Sequence, residues 1–357
     1  MRLSAGAVVP FTSMKRTLLL FAAAGCLLTI FLAVPRARAA APALRIFFID
    51  VEGGQATLIV TPAGQSMLVD TGWPGFNGRD ADRIVAAARQ AGIKQIDFLL
   101  ITHFHMDHVG GVAQLVERIP VRTFMDHGSN VETSKQAKDL YSAYLKAAAR
   151  ATRRVLKPGD TIPLRGVDVT VLTSNGEHIQ TALAGAGRPN SDCAGVKPLG
   201  PDSSENAQSI GFLLTYGKFR FLDLGDLTWD KELALMCPSN PIGTVDVFLV
   251  SHHGMAISNS PALVWAVHPR VAVMDNGAKK GGAPKAWSVV EKSPGLEDLW
   301  QLHYSVPGGA SHNVAEKFIA NVGETDTGFA LDLAAHSDGS FRVANTRNGF
   351  TKSYGSD

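Results

Sequence analysis

The apolar positions of this chain recur with two different periods, and each change of period marks an element. Alternation with a period of two, bounded by Gly and Pro, predicts short strands over Leu44–Val51, Gln55–Val60 and Ser66–Asp70. Ile84, Val85 and Ala88 then fall at helical spacing and predict a helix over Asp80–Ala91. A strand Asp97–Ile101, a helix Val109–Arg118, a strand Val121–Met125 and a longer helix Thr133–Ala151 follow. Strands are also predicted at Arg153–Leu156 and Val167–Leu172. The stretch Asn175–Ser204 is rich in Gly, Pro, Asn and Ser and reads as a long surface insertion, placed to overhang a site. The pattern then restarts. Ser209–Tyr216 and Lys218–Leu224 form a hairpin about Gly217, followed by a helix Trp229–Met236, a strand Val245–Val250, a helix Pro261–Val267 and a strand Arg270–Met274. Strand-like runs at Gly328–Leu333 and Phe341–Ala344 come last. Two halves, each with strands first and helices after, predict an α/β fold of two packed sheets with helices outside.

Composition narrows the class. With 45% hydrophobic and 18% charged residues among 357, the chain is globular, which excludes disordered, collagenous and coiled-coil readings. Lys15 and Arg16 precede an apolar run from Thr17 to Val34, and Ala37-Arg38-Ala39 follows. That order of basic region, apolar region and small-residue cleavage site predicts a secretory signal over residues 1–39, with an uncleaved membrane anchor as the alternative. Residues 40–357 are then one exported domain, periplasmic or secreted. They hold 29 basic against 32 acidic residues, a mildly acidic balance that disfavours coating of nucleic acid. Cys193 and Cys237 can pair in an oxidising compartment or stand apart as thiols; sequence leaves both open.

The chemistry concentrates in Thr102-His103-Phe104-His105-Met106-Asp107-His108, directly after an apolar strand. Residues two apart in extended chain point the same way, so His103 and His105 can grip one metal ion. A turn then presents Asp107 and His108 to a second. Imidazole with carboxylate suits zinc, and also manganese or iron. Two later strand ends offer further ligands. Asp226 follows the hairpin and is placed to bridge two ions. Ser251-His252-His253-Gly254 ends another apolar strand; one of the two histidines ligates, His252 first and His253 as the alternative, and the other orients substrate or donates a hydrogen bond.

HFHMDH, Gly225-Asp226 and Ser251–Gly254 together resemble the metallo-β-lactamase superfamily. Ile49–Ala56, Asp70-Thr71-Gly72 and Glu205-Asn206 with Ser209 resemble its competence-protein (ComEC-type) branch. The resemblance runs from about Leu44 to Asn276 and adds Asp70 and Asn206 as candidate site residues. It implies an αββα sandwich, with the site at the sheet edges between two similar halves. Two departures stand out. The third histidine that many members supply to the first metal has only His127 and His178 as candidates here, and Gly282-Ala283-Pro284 stands where the branch has a Gly-His-Pro histidine, leaving His303 as a substitute.

The expected function is metal-assisted hydrolysis by water activated between two divalent ions, with Asp107 as the catalytic residue that orients it. The expected substrate is a phosphodiester or other ester. A lactone or β-lactam is the alternative, and a non-catalytic metal- or ligand-binding module on the same fold is the third reading. Lys279, Lys280 and Lys285 form a small basic patch that receives a phosphate or carboxylate or, as the commoner outcome, is solvated surface. Trp73 and Phe76 line a mouth or cap the core. No oligomer interface and no membrane partner beyond the N-terminal segment is indicated.

Overall fold

The structure, a computed structural model, describes residues 43–323 and 326–355. The signal or anchor segment expected over residues 1–39 lies outside the described residues. Among those described, no helix is long and apolar enough to cross a membrane.

The first half comprises β1 (Leu44–Phe48), β2 (Thr57–Val60), β3 (Ser66–Val69), β4 (Ile96–Leu100), β5 (Val121–Asp126) and β6 (Thr152–Val155). Helices α1 (Arg79–Ala91), α2 (Met106–Val109), α3 (Val112–Val116) and α4 (Lys135–Ala148) accompany them. The second half contains β7 (Asp168–Ser174), β8 (Glu177–His178), β9 (Arg188–Pro189), β10 (Gly211–Tyr216), β11 (Phe219–Asp223), β12 (Ser239–Asn240), β13 (Val247–Leu249), β14 (Val271–Met274), β15 (Asp298–His303) and β16 (Ile319–Asn321). Its helices are α5 (Trp229–Met236), α6 (Pro261–Val267) and α7 (Pro284–Glu291). The chain then returns as β17 (Leu331–Ala335), β18 (Phe341–Asn345) and β19 (Thr351–Tyr354), which extend the first sheet beside β1.

The first sheet has the order β19-β18-β17-β1-β2-β3-β4-β5-β6, and the second β16-β15-β14-β13-β11-β10-β7-β8. Each is antiparallel on one side and parallel on the other: β3 to β6 run parallel, as do β11 and β13 to β16. Side-chain alternation sorts these strands into four layers. Leu44, Ile46 and Phe48 face the second sheet, where Phe212, Phe221, Val247 and Val271 meet them. Phe47 and Ile49 point the other way, onto the layer of Ala81, Ile84, Ala88 and Tyr144 from α1 and α4. Leu222, Phe248 and Ala272 point outward onto Leu235, Leu263 and Val290. Helix, sheet, sheet, helix is the αββα order that the resemblance implied.

Several expected elements are corrected. The single helix expected over Val109–Arg118 is two short ones, because Gly110 and Gly111 fit between Pro74 and the Thr71 carbonyl; a Cβ at Gly111 would lie 2.1 Å from that oxygen. Strands β15, β16 and β19 and helix α7 are additional. The insertion after Asn175 does not overhang a site. Its middle is tied down against β12 and the adjoining ends of α5 and α6: β9 pairs with β12, and Asn190 donates to the Met236 and Ala262 carbonyls. Cys193 and Cys237 are joined as a disulfide. Phe76 is not core but 64% exposed, with Arg79 stacked on its ring.

That disulfide closes a loop spanning 44 positions, which in chain-entropy terms is worth up to about 4 kcal/mol. The double variant Cys193→Ser/Cys237→Ser is expected to unfold at lower urea concentration while keeping the wild-type circular dichroism spectrum. An unchanged midpoint would show that β9–β12 and Asn190 hold the insertion unaided.

Candidate metal centre

The site forms where parallel strands of both sheets end. After β4 the chain stays extended through His105 and then enters the single turn of α2, which carries Asp107 and His108. Extended chain aligns His103 with His105, and the turn redirects the next two side chains. Gly54 presses on this turn; a Cβ there would lie 2.4 Å from the Asp107 carbonyl, so only glycine admits the approach. From the second sheet, β11 leads to Asp226 and β13 to His252 and His253. Both histidines have left-handed φ, 55° and 53°, a strain of about 1–3 kcal/mol per residue that persists only where surroundings enforce it. Here His252 N–H donates to the Gly225 carbonyl at 3.0 Å, tying the two loops together.

Asp107, His108, Asp226 and His253 form one buried group whose ligand atoms all lie within 4.8 Å of one another. His108 Nε2 is 3.3 Å from Asp107 Oδ2 and 3.2 Å from Asp226 Oδ2. His253 Nε2 is 3.2 Å from Asp107 Oδ2 and 3.5 Å from Asp226 Oδ1. Beside this group His103 Nε2 and His105 Nδ1 face each other at 3.0 Å, with His103 Nε2 3.9 Å from Asp226 Oδ2. His252 Nε2 approaches the same oxygen at 3.4 Å.

Every one of these histidines has an oxygen behind its second ring nitrogen. Thr102 Oγ1 lies 3.1 Å from His103 Nδ1, and Glu132 Oε1 2.8 Å from His105 Nε2. Asp70 Oδ2 lies 2.7 Å from His108 Nδ1 and Ser258 Oγ 3.1 Å from His252 Nδ1, while Asp275 Oδ1 stands 3.2 Å from His253 Nδ1 as a charge contact without a hydrogen bond. For the four hydrogen-bonded rings such outer partners fix orientation and leave the inner nitrogen as the ligand, and on His253 it is Nε2 that faces Asp107 and Asp226. The inner atoms are thereby His103 Nε2, His105 Nδ1, His108 Nε2, His252 Nε2 and His253 Nε2. Two buried oxygens without a hydrogen-bond partner, Asp226 Oδ1 and Asn206 Oδ1, add to the case that the cluster fits a cation. Nitrogen and carboxylate donors in this mixture suit zinc, manganese or iron.

The profile described as Metallo-beta-lactamase superfamily matches residues 49–196. Recombination protein 2 of Haemophilus influenzae is 24% identical over 253 residues, covering 70% of this chain and 26% of that protein. ComE operon protein 3 of Bacillus subtilis is 25% identical over 187 residues, 52% of this chain and 20% of that protein. The chain carries a metallo-beta-lactamase superfamily domain. A hydroxyacylglutathione hydrolase of Xanthomonas campestris pv. campestris is 31% identical over 129 residues, 36% of this chain and 40% of that protein. The chain thus spans two fifths or less of the length of these relatives. The profile match ends before the hairpin that leads to Asp226, so the placing of Asp226, His252 and His253 in the site rests on the geometry above.

Charge in the site is divided. Burial works against a charged His108, but Asp226, Asp107 and Asp70 outweigh it and hold its pKa well above the ordinary value. Burial and Lys280 likewise oppose charge on His253, and Asp226 with Asp275 pushes it up to about 10. Burial alone would raise Asp107 and Asp226; His108 and its neighbours hold both well below the usual carboxylate range. Burial, helped by His108, pushes His103 well down, and burial takes His252 to about 4 against the pull of Asp226. Mutual attraction thus favours charge on Asp107, Asp226, His108 and His253, while burial disfavours it on His103 and His252.

The remaining sequence candidates divide as well. His253, the alternative ligand of the pair, stands in the four-residue group, while His252, named first, stands outside it and against Asp226. Asp70 sits behind His108. Asn206 is brought to the edge by its neighbours: Glu205 accepts from Phe104 N, and Ser209 Oγ accepts from Asp226 N. His127 is not brought to the pair His103–His105; its Nε2 goes to Glu205 Oε2 at 3.0 Å and its ring packs on Phe104. His303, at the end of β15, is fully buried and bonds Asp50 Oδ1 at 2.7 Å, with Glu52 beyond at 3.8 Å, in a second His/Asp/Glu group. His178 ends the short strand β8, half-buried. Sequence reasoning missed Glu132, Ser258 and Asp275. Asp275 carried a signal, a carboxylate directly after an apolar strand, as at Asp226. Glu132 and Ser258 lie in loops without one.

Removing His253 should abolish metal retention by the four-residue group. Asp275→Ala should weaken metal affinity about 10–100-fold by freeing the ring. His127→Ala should leave affinity unchanged. Competition against a chromophoric chelator measures all three, and equal affinity of Asp275→Ala and wild type would refute the assignment of Nε2 as the inner atom.

Proposed function

We propose that this protein is an exported metal-dependent hydrolase that activates water at a two-ion centre and attacks a phosphodiester or other ester. The observation that carries this is the inward turn of five ring nitrogens, each backed by an oxygen, around Asp107 and Asp226. A bound divalent ion supplies Lewis acidity and a water acidic enough to be hydroxide near neutral pH. The chain does the rest. Asp107, His108, Asp226 and His253 would hold one ion, and His103 and His105, with Asn206 and His252 nearby, would hold a second. Asp107, at 10% side-chain exposure the most open member of the four-residue group, is the residue that orients the attacking water. Thr102, Asp70, Ser258, Asp275 and Glu132 keep the rings from turning as charge develops.

The curated relative named as a hydrolase supports hydrolysis, and the disulfide supports an oxidising compartment such as the periplasm. Residues 1–39 would then be the export signal and 40–357 the working domain.

Zinc-loaded protein is expected to hydrolyse bis(p-nitrophenyl) phosphate in preference to nitrocefin, to lose that activity on chelation, and to regain it with zinc or manganese. Asp107→Ala is expected to lose turnover together with part of its metal. Turnover of nitrocefin alone would move the assignment to a β-lactam, and metal binding without hydrolysis of either would move it to a binding module.

A further inference from the structure

The three lysines of the basic patch part company in the fold. Lys279 and Lys285 are exposed, and Lys285 lies over the Trp229 ring. Lys280 turns inward. Its Nζ donates to the Asp107 carboxylate and, at 2.7 Å, to the Gly53 carbonyl, and it lies 5.3 Å above the centre of the Trp73 ring. The loop that carries it is pinned on two sides. Gly277 N donates to the Lys280 carbonyl, and Gly282 N and Ala283 N donate to the His253 and Gly254 carbonyls. At Gly281 a Cβ would lie 2.2 Å from the His253 carbonyl, so the loop rests directly on the histidine loop of the centre. Lys280 is therefore a cation held in place before any ligand arrives, and the rotamer entropy that a surface lysine loses on binding is largely spent in folding.

An ammonium has three donors, and Gly53 and Asp107 account for two. The third meets no protein acceptor among the described residues, and 32% of the side chain remains exposed. A carboxylic ester brings no charge to such a position and develops one oxyanion. A phosphodiester brings two non-bridging oxygens that share a full charge from the outset, so a fixed cation beside the ligand cluster discriminates in its favour.

We infer that Lys280, held over Trp73 by the Gly53 carbonyl, receives a non-bridging phosphoryl oxygen, which makes the substrate an anionic phosphate ester. The inference rests on the proposed hydrolase function and names the substrate class of that site. Its test compares wild type, Lys280→Gln and Lys280→Arg, all zinc-loaded, in three measurements. Calorimetric titration with inorganic phosphate should show about 10–100-fold weaker binding for Lys280→Gln, the range for losing one charge-assisted hydrogen bond, and substantial recovery in Lys280→Arg. Kinetics should show kcat/KM for bis(p-nitrophenyl) phosphate falling more than that for p-nitrophenyl acetate, mainly through KM. Metal content by mass spectrometry should match wild type. Phosphate affinity equal to wild type in Lys280→Gln overturns the inference, as does loss of metal, which would make the lysine structural. Acetate titrations that respond as strongly as phosphate overturn the phosphoryl assignment in favour of a carboxylate. If wild type cleaves neither ester, the hydrolase assignment fails, and the phosphate titration still decides what Lys280 binds.

Discussion

Burial of the Asp226 carboxylate is the constraint around which this molecule is arranged. Only 2% of the residue is exposed, and an ionised carboxylate so placed costs several kcal/mol unless cations or donors surround it. No single half of the chain supplies enough of them. His108 comes from the first sheet, and His252 and His253 from the second. The two sheets must therefore dock at the correct stagger, and the bonds that set it cross the same seam. Ile210 N donates to the Thr102 carbonyl, and Gln55 Nε2 donates to Asp223 Oδ2 at 2.7 Å. The apolar layer between the sheets supplies most of the adhesion, but apolar contact does not choose a stagger. The charged edge does.

The topology explains why such an edge exists. In both sheets an antiparallel side passes into a parallel one, and loops at the carboxyl ends of the parallel strands collect on one rim. Asp70, His103 and Asp126 follow or end β3, β4 and β5; Asp226, His252, Asp275 and His303 follow or end β11, β13, β14 and β15. Packing the sheets face to face brings both rows together. Asp50 with His303, and Glu205 with His127, are further pairs on this rim, and both are structural ties by their contacts.

That rim is also why part of the site was legible in the sequence. A polar residue directly after an apolar strand is a local pattern, so His103, His105, Asp107, His108, Asp226 and the pair His252–His253 could be found by inspection. Which histidine of that pair faces Asp107 depends on two consecutive left-handed residues, and left-handed φ at non-glycine positions leaves no periodic trace. Glu132 and Ser258 reach the centre only through the order of strands and loops, 27 residues from His105 and six from His252. Strand β15 escaped because its buried face carries Gln301, whose amide is satisfied by Asn313 and whose carbonyl accepts from Val314 N. A satisfied buried amide reads, in sequence, as loop. Helix α7 was announced only by Pro284 at its first turn, behind a run of glycine and lysine that reads as turn.

The outer partners of the five rings rank the two halves of the centre. Behind His108 and His253 stand the carboxylates of Asp70 and Asp275, which raise the basicity of the inner nitrogens, and two further carboxylates lie between those rings. Behind His103 and His252 stand only hydroxyls, from Thr102 and Ser258, and the carboxylate behind His105 is that of Glu132, a third exposed and screened by water. A dication is attracted by net negative charge and basic donors. Asp107, His108, Asp226 and His253 would therefore hold it more strongly than the pole of His103, His105 and the Asn206 amide. The missing third histidine falls on that weaker pole. That departure therefore touches the pole of His103 and His105 and leaves the buried group of Asp107, His108, Asp226 and His253 complete.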